Sequence, residues 1–468
     1  MGHAFTGLAA AVAISLSPSI CWAQEAAAPD IPSRPAIMFN RWQEDWSVLA
    51  NPDVPKEPFD WLKYIPLSPG DPHTYLSFGA DLRERFETLD AANFGVGARN
   101  QDYVISRLEW HADLHIGTQL QVFTQFESDF APGKTMPTPV DRDNLDLEQA
   151  FVTLTEPVDG GILRLRVGRQ EIAFDLQRFV GVRDGANVRQ SYDAIWAEYL
   201  KGPWRLTGFY SMPVQLRDVR PFDDYSSDHL TYGGARLERE LSDTIKLSFS
   251  YSHFNQDNVK FLSVRGNERR EILDVHMNGT YRRFDWDVEA MGQTGGIGQD
   301  DIRAWAFGSL TGYTFAGSQW RPRLGLQVDA ASGDRNPNDH TLQTFNPLFP
   351  NAYYFTLQGY STYVNVVHVK PSLTVHPIKT LTLLMAAAAQ WRETTGDAVY
   401  TIPNIPVAGT AGRPGQYTGT YGEFRADWLA GEHVAFALEA DHFAVTNVIR
   451  RAGGRDGNYL GAEVRFGW

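Results

Sequence analysis

The sequence predicts an all-β chain, a transmembrane antiparallel β-barrel of about eighteen strands with long extracellular loops and short periplasmic turns. Three observations predict it. Apolar and polar residues alternate with a period of two from Tyr75 to the C-terminus, the connections alternate between short and long, and the final strand ends in an aromatic residue.

The chain starts with a small, apolar stretch from Phe5 to Ile20, followed by Cys21-Trp22-Ala23 and Gln24. This reads as a secretory signal over 1–23, too short to span a bilayer as a helix. Cys21 is the one cysteine, so the mature chain would have neither a disulfide nor a Cys-ligated metal. Residues 24–72 are rich in Pro and Trp, lack a period and close on PFDWLKYIPLSPGDPH. They read as a periplasmic pre-barrel segment, with the barrel over 73–468.

The expected strands are 74–87, 102–116, 118–129, 144–155, 161–170, 192–201, 203–212, 230–240 and 243–255. They continue with 269–281, 283–293, 301–315, 319–331, 361–376, 380–392, 419–429, 432–444 and 457–468. In the first, Leu76, Phe78, Ala80, Leu82 and Phe86 alternate with Ser77, Asp81, Arg83, Arg85 and Glu87. In the ninth, Ile245, Leu247, Phe249 and Tyr251 oppose Lys246, Ser248, Ser250 and Ser252. Alternation of this kind is the mark of a strand with one apolar face, and ten or so residues cross a bilayer when tilted.

After even strands the connections are minimal, such as GT at 117–118, GP at 202–203 and PIKT at 377–380. After odd strands they are long: 88–101, 130–143, 171–191, 213–229, 256–268, 332–360 and 393–418. A soluble β-protein with alternating strands is the competing reading, but it has no reason to sort its loops by parity. The last strand carries Leu460, Ala462, Val464, Phe466 and Trp468 on one face. In a closed barrel every backbone group pairs across strands, the apolar faces look at lipid, and the polar faces line an aqueous lumen.

Net charge is −14, with 34 arginines against 8 lysines, which argues against nucleic acid as a partner. Alternation points inward the arginines Arg83, Arg85, Arg107, Arg164, Arg166, Arg321, Arg323, Arg425 and Arg465. Each reads singly as a cross-strand ion-pair partner; together they favour passage of anions. The stretch 164–194 holds six arginines and no lysine. Arg169 falls at its rim, and Arg178, Arg183 and Arg189 fall in the loop 171–191. These four either set the constriction or staple the loop to the wall through acidic partners. His111 and His115 lie too far apart along a strand to act as paired helix ligands, and no G-x-S-x-G or P-loop occurs. No catalytic, cofactor or metal site is expected.

Three segments carry a resemblance: PFDWLKYIPL with YLSFGADLRERFE, LRLRVGRQEIAFDLQRFVGVRDGANVRQSYDAIWAEY, and DAASGDRNPNDHTLQTFNPLFPNAYYF. They resemble the bacterial alginate export family. The resemblance implies an eighteen-stranded barrel in the outer membrane of a Gram-negative bacterium, with an arginine-rich lumen conducting an acidic polysaccharide outward. Its partners would be outer-membrane lipid, an anionic polysaccharide or small carboxylate solute, and periplasmic secretion proteins. An uptake porin for carboxylate nutrients, narrowed by loop 171–191, is the alternative; a barrel serving as adhesin or scaffold is the third reading.

Overall fold

The computed structural model describes residues 34–97, 100–351 and 353–468. The expected signal over 1–23 lies outside the described residues. Eighteen long strands form the barrel. They are β1 Tyr75–Leu89, β2 Gln101–Ile116, β3 Leu120–Phe130, β4 Asp143–Val158, β5 Gly161–Gln170 and β6 Tyr192–Lys201. Then come β7 Trp204–Pro213, β8 Leu230–Ser242, β9 Ile245–Lys260, β10 Arg265–Tyr281, β11 Phe284–Ile297 and β12 Asp300–Thr314. The last six are β13 Arg323–Ala331, β14 Val366–Ile378, β15 Leu381–Trp391, β16 Tyr417–Leu429, β17 Val434–Val445 and β18 Gly457–Gly467. Each pairs antiparallel with the next, and β18 returns to β1 from Asp81↔Gly467 to Leu89↔Tyr459. No edge is left, as a sheet in hydrocarbon requires.

Burial is inverted relative to a soluble protein. On β1, Phe78, Leu82 and Phe86 are 37%, 36% and 46% exposed, while Arg83 and Arg85 between them are 4% and 3% exposed. The same outward apolar row continues through Val152 and Leu154, Leu165 and Val167, Leu273 and Val275, and Leu438 and Leu460.

Two expectations about connections are corrected. The loop expected over 256–268 shrinks to 261–264, because β9 and β10 run on to Lys260 and Arg265 past a bulge between Gln256 and Val259. Above the lipid no apolar face is demanded, so alternation fades while the ladder continues. Arg321 does not lie on a strand: β13 starts at Arg323, and Arg321 sits exposed in the turn 315–322 at φ 45°. The lumen is also fuller than an eighteen-strand count implies. Phe179 of loop 171–191 packs on Phe345 and Tyr363 at 5.4 and 4.9 Å, and Tyr192 meets Phe349 at 5.3 Å. The two inward loops pair as backbone, with Gly181 N–H donating to Phe349 O and Phe349 N–H to Phe179 O at 2.9 and 2.8 Å.

The segment before β1 enters the short-turn mouth of the barrel. Arg41 is 3% exposed and donates to Trp468 O at 2.6 Å, Glu44 Oε1 at 2.7 Å and Asp81 Oδ2 at 2.5 Å. Trp42 O accepts from Gln121 at 2.8 Å. Phe59 lies on Trp468 at 5.3 Å, and Lys63 over the Trp46 ring at 5.0 Å. Burial, and then the Arg41 charge, pull the Lys63 ammonium down to about 7. Arg41→Ala is expected to free this segment, so that trypsin cuts after Lys63 at least about tenfold faster while the barrel keeps its heat-resistant migration on gels. Unchanged cleavage would show that Arg41 is not the fastening.

Candidate functional site

Loop 171–191 leaves the wall at β5 and re-enters it at β6, yet its side chains reach strands far around the ring. Asp175 accepts from Arg236 on β8 at 2.6 Å and meets His276 on β10 at 2.8 Å. Arg178 is fully buried; it donates to Asp287 Oδ1 at 2.5 Å and Glu289 Oε2 at 3.1 Å on β11, and to Tyr354 Oη at 2.8 Å. At the other end, Asp184 takes Arg107 at 2.5 Å, Arg465 at 3.3 Å and Arg83 at 3.8 Å. Those strands, β18, β1 and β2, stand opposite β10 in an eighteen-membered ring. The loop therefore bridges the lumen.

Burial favours the neutral form of Asp184, but Arg107, Arg465, Arg83 and Arg189 hold its carboxyl well below the usual carboxylate range. Arg189 is fastened in turn to Glu109 at 2.8 Å and Glu171 at 3.0 Å, and those acids with Asp184 raise it despite burial. Asn187 completes the seam: its amide donates to Ser106 O, Phe130 O and Asp141 O at 3.0–3.1 Å.

The other expected arginines divide by partner. Arg85 meets Glu439 at 2.5 Å, Glu87 at 2.7 Å and Glu463 at 3.4 Å. Arg425 pairs with Asp427 and Glu439, Arg164 with Glu198 at 2.9 Å, and Arg323 with Asp285. Arg169 was expected at the constriction and is not there. Alternation runs unbroken through Gly168, so Arg169 shares the outward row with Leu165 and Val167, opposite Asp193 at 2.9 Å. Arg183 donates to Gln190 Oε1 at 3.1 Å and Leu348 O at 3.3 Å and meets no carboxylate among the described residues. Burial pushes its guanidinium down, with partial relief from Tyr192. Arg166 has no hydrogen bond or ion pair among the described residues; its Cζ lies 3.7 Å from the Trp42 ring and 5.0 Å from Phe151.

Sequence reasoning missed Arg236, Arg270 and Arg392. Arg236 and Arg270 fall on expected strands and were open to the alternation rule. Arg392 closes the expected strand 380–392, but nothing local signals its work, which is to donate to four loop carbonyls, those of Asp397, Thr410, Arg413 and Gly415. Asp175, Asp274 and Glu289 converge within 4.8 Å of one another in the lumen, but Arg236, Arg178 and His276 stand among them as counter-charges. That cluster is already compensated.

A family model described as alginate export matches residues 74–463. Comparison with curated proteins finds no match. Among solved structures the barrel is similar to Pseudomonas aeruginosa OccK11 (OpdR), at 11% identity and TM-score 0.56, covering 84% of this chain and 95% of that one. It is also similar to OccK8 (OprE) of that organism, at 11% identity and TM-score 0.55, covering 84% and 98%. OccK2 (OpdF), solved in complex with glucuronate, follows at 10% identity and TM-score 0.54, covering 84% and 96%.

Removing one partner of a buried ion pair costs ~3–5 kcal/mol, because the other charge stays buried. Asp184→Asn is therefore expected to release loop 171–191, seen as faster hydrogen exchange at 178–189 and noisier single-channel current. Acid does the same: the depressed carboxyl stabilises fully above its ordinary value near 4, and that contribution is lost as pH falls through its lower folded value. A quiet channel and unchanged exchange in the variant would remove Asp184 as the clamp.

Proposed function

This chain belongs to the alginate export family, a channel of the Gram-negative outer membrane, and on that premise we propose that it passes uronate-bearing solutes, foremost an acidic polysaccharide such as alginate moving outward. The observation that carries the reading is Arg166. It is 8% exposed, lies on the inward row of β5 and has no carboxylate partner among the described residues. Stacking on Trp42 holds one face of its guanidinium, which leaves the N–H edge for planar, two-pronged contact with a carboxylate. Arg183, on the bridging loop, likewise meets no carboxylate among the described residues.

A polyuronate presents one carboxylate per sugar. Each can exchange hydration water for guanidinium contact at one site and pass to the next, provided no site holds too tightly. The paired arginines serve differently: Arg178 and Arg189 hold the bridging loop in place and so fix how wide the path is. The pre-barrel segment acts as a partial periplasmic plug that carries Trp42 to Arg166. No step makes or breaks a covalent bond, and no cofactor is called for.

Uptake of small uronates is the second reading, favoured by the likeness of the barrel to a porin solved with glucuronate. The two share the carboxylate and differ in direction and chain length. Block of single-channel current by uronate oligomers tests the shared chemistry. Arg166→Gln with Arg183→Gln is expected to weaken block about tenfold or more, and equal block in the variant would sink the proposal. A deletion strain that retains polymer inside but grows normally on glucuronate selects export; the reverse phenotype selects uptake.

A further inference from the structure

Outside the lumen, the 214–229 loop between β7 and β8 folds back over the extracellular rim of β4 to β6. Arg142 pairs with Asp218 at 2.6 Å, Phe222 N–H donates to Leu145 O at 3.0 Å, and Ser226 Oγ donates to Asp193 Oδ2 at 2.6 Å. Phe222 also meets the outward Phe126 at 6.3 Å. At the centre of this contact three carboxylates are brought together. Asp143 and Asp146 come from the first turn of the β4 ladder, where the pairing with β3 is irregular, and Asp224 comes from the loop. One oxygen from each lies within 4.8 Å of the other two.

Their surroundings compensate them only in part. Asp143 and Asp146 are 1% and 2% exposed. Asp146 accepts from Leu147 N–H and Asp224 N–H, and Asp224 accepts from Arg217 N–H. Asp143 Oδ1 accepts from Leu145 N–H at 3.2 Å, but its Oδ2 is buried with no hydrogen-bond partner among the described residues. Asp223 Oδ1, next in the chain to Asp224, is in the same state. The nearest cation is Arg169, and it is committed to Asp193 at 2.9 Å with Asp146 only at 3.7 Å. Arg142 is taken by Asp218. Buried carboxylate oxygen without a donor is costly, and here it faces like charge.

We propose that Asp143, Asp146 and Asp224 form a calcium site that clamps the 214–229 loop to the extracellular rim of the barrel. The chemistry is all oxygen, as hard divalent cations require. The irregular ladder and the loop favour calcium, which takes oxygens at about 2.3–2.6 Å in a flexible shell, over magnesium, which demands near-ideal octahedral geometry at about 2.0–2.1 Å. The carbonyls of the irregular ladder and water would complete the coordination shell. Bound, the ion cancels charge that would otherwise push the loop off the rim; without it the loop is held by the Arg142–Asp218 pair, the Phe222 contact and its hydrogen bonds to the rim.

The test uses the full chain, refolded in detergent free of lipopolysaccharide, with calcium chloride or magnesium chloride as probe and a chelator as baseline. Trypsin reads the loop at Arg217, since Arg220 precedes Pro221 and resists cleavage. Calcium is expected to slow cleavage after Arg217 at least about tenfold and to titrate calorimetrically to one site per chain. Asp143→Asn with Asp224→Asn should abolish both effects while single-channel conductance stays that of the parent. Equal cleavage with calcium and chelator, undiminished calcium binding by the variant, or protection by magnesium equal to that by calcium would each overturn the assignment. Should the variant fail to refold, the calcium, magnesium and chelator arms on the parent chain decide alone.

Discussion

A backbone in hydrocarbon has no solvent to bond to, and the whole molecule follows from that. Every N–H and C=O from Tyr75 to Gly467 that crosses lipid must find a strand partner, so the sheet has to close, and it does through β1 and β18. Closure then dictates sidedness. Leu, Val and Phe look outward, and the residues between them, charged and polar, are gathered inside. Charges gathered inside must be paired or left to solvent, and the bridging loop is where that pairing is concentrated.

The lumen is thus not a uniform arginine surface. Arg85, Arg107, Arg178, Arg189, Arg425 and Arg465 are matched to carboxylates at hydrogen-bonding distance. Buried ion pairs add little net stability, because desolvation consumes most of the attraction. What they give is a single geometry, since breaking any one strands a charge. Asp175 and Arg178 on one wall, and Asp184 on the other, hold the loop across the lumen as a fixed bridge. The aromatic contacts of Phe179, Phe345 and Tyr363 pack its body, each worth roughly 0.5–1.5 kcal/mol beyond area burial. Against this matched background Arg166 and Arg183 differ in meeting no carboxylate among the described residues, and under the proposed function they make the contact with a passing anion.

Much of this was legible in the sequence because lipid enforces a local rule. The expected bounds 161–170 and 192–201 coincide with β5 and β6, where an outward apolar row runs through Leu163, Leu165 and Val167 and includes Ile195. Legibility failed where that rule stops. Beyond the lipid, alternation fades, so β9 and β10 were cut short; in the turn 315–322 an apparent period placed Arg321 on a strand that starts two residues later. Arg169 was misread because a glycine and a dense run of charge looked like a rim, although the period itself assigns residue 169 to the outward side. Partners were the deeper loss. The sequence places Arg178 in the loop 171–191, but nothing local says that it meets Asp287, 109 residues away, or that Trp42 from a segment without a period would stack on Arg166.

The central claim is that the path through this barrel prefers anions because its unmatched lumen cations outweigh local acids along the route. The zero-current potential of the purified protein in a planar bilayer under a potassium chloride gradient tests it most directly. The account predicts a potential displaced toward the chloride equilibrium value; one displaced toward the potassium value would contradict it.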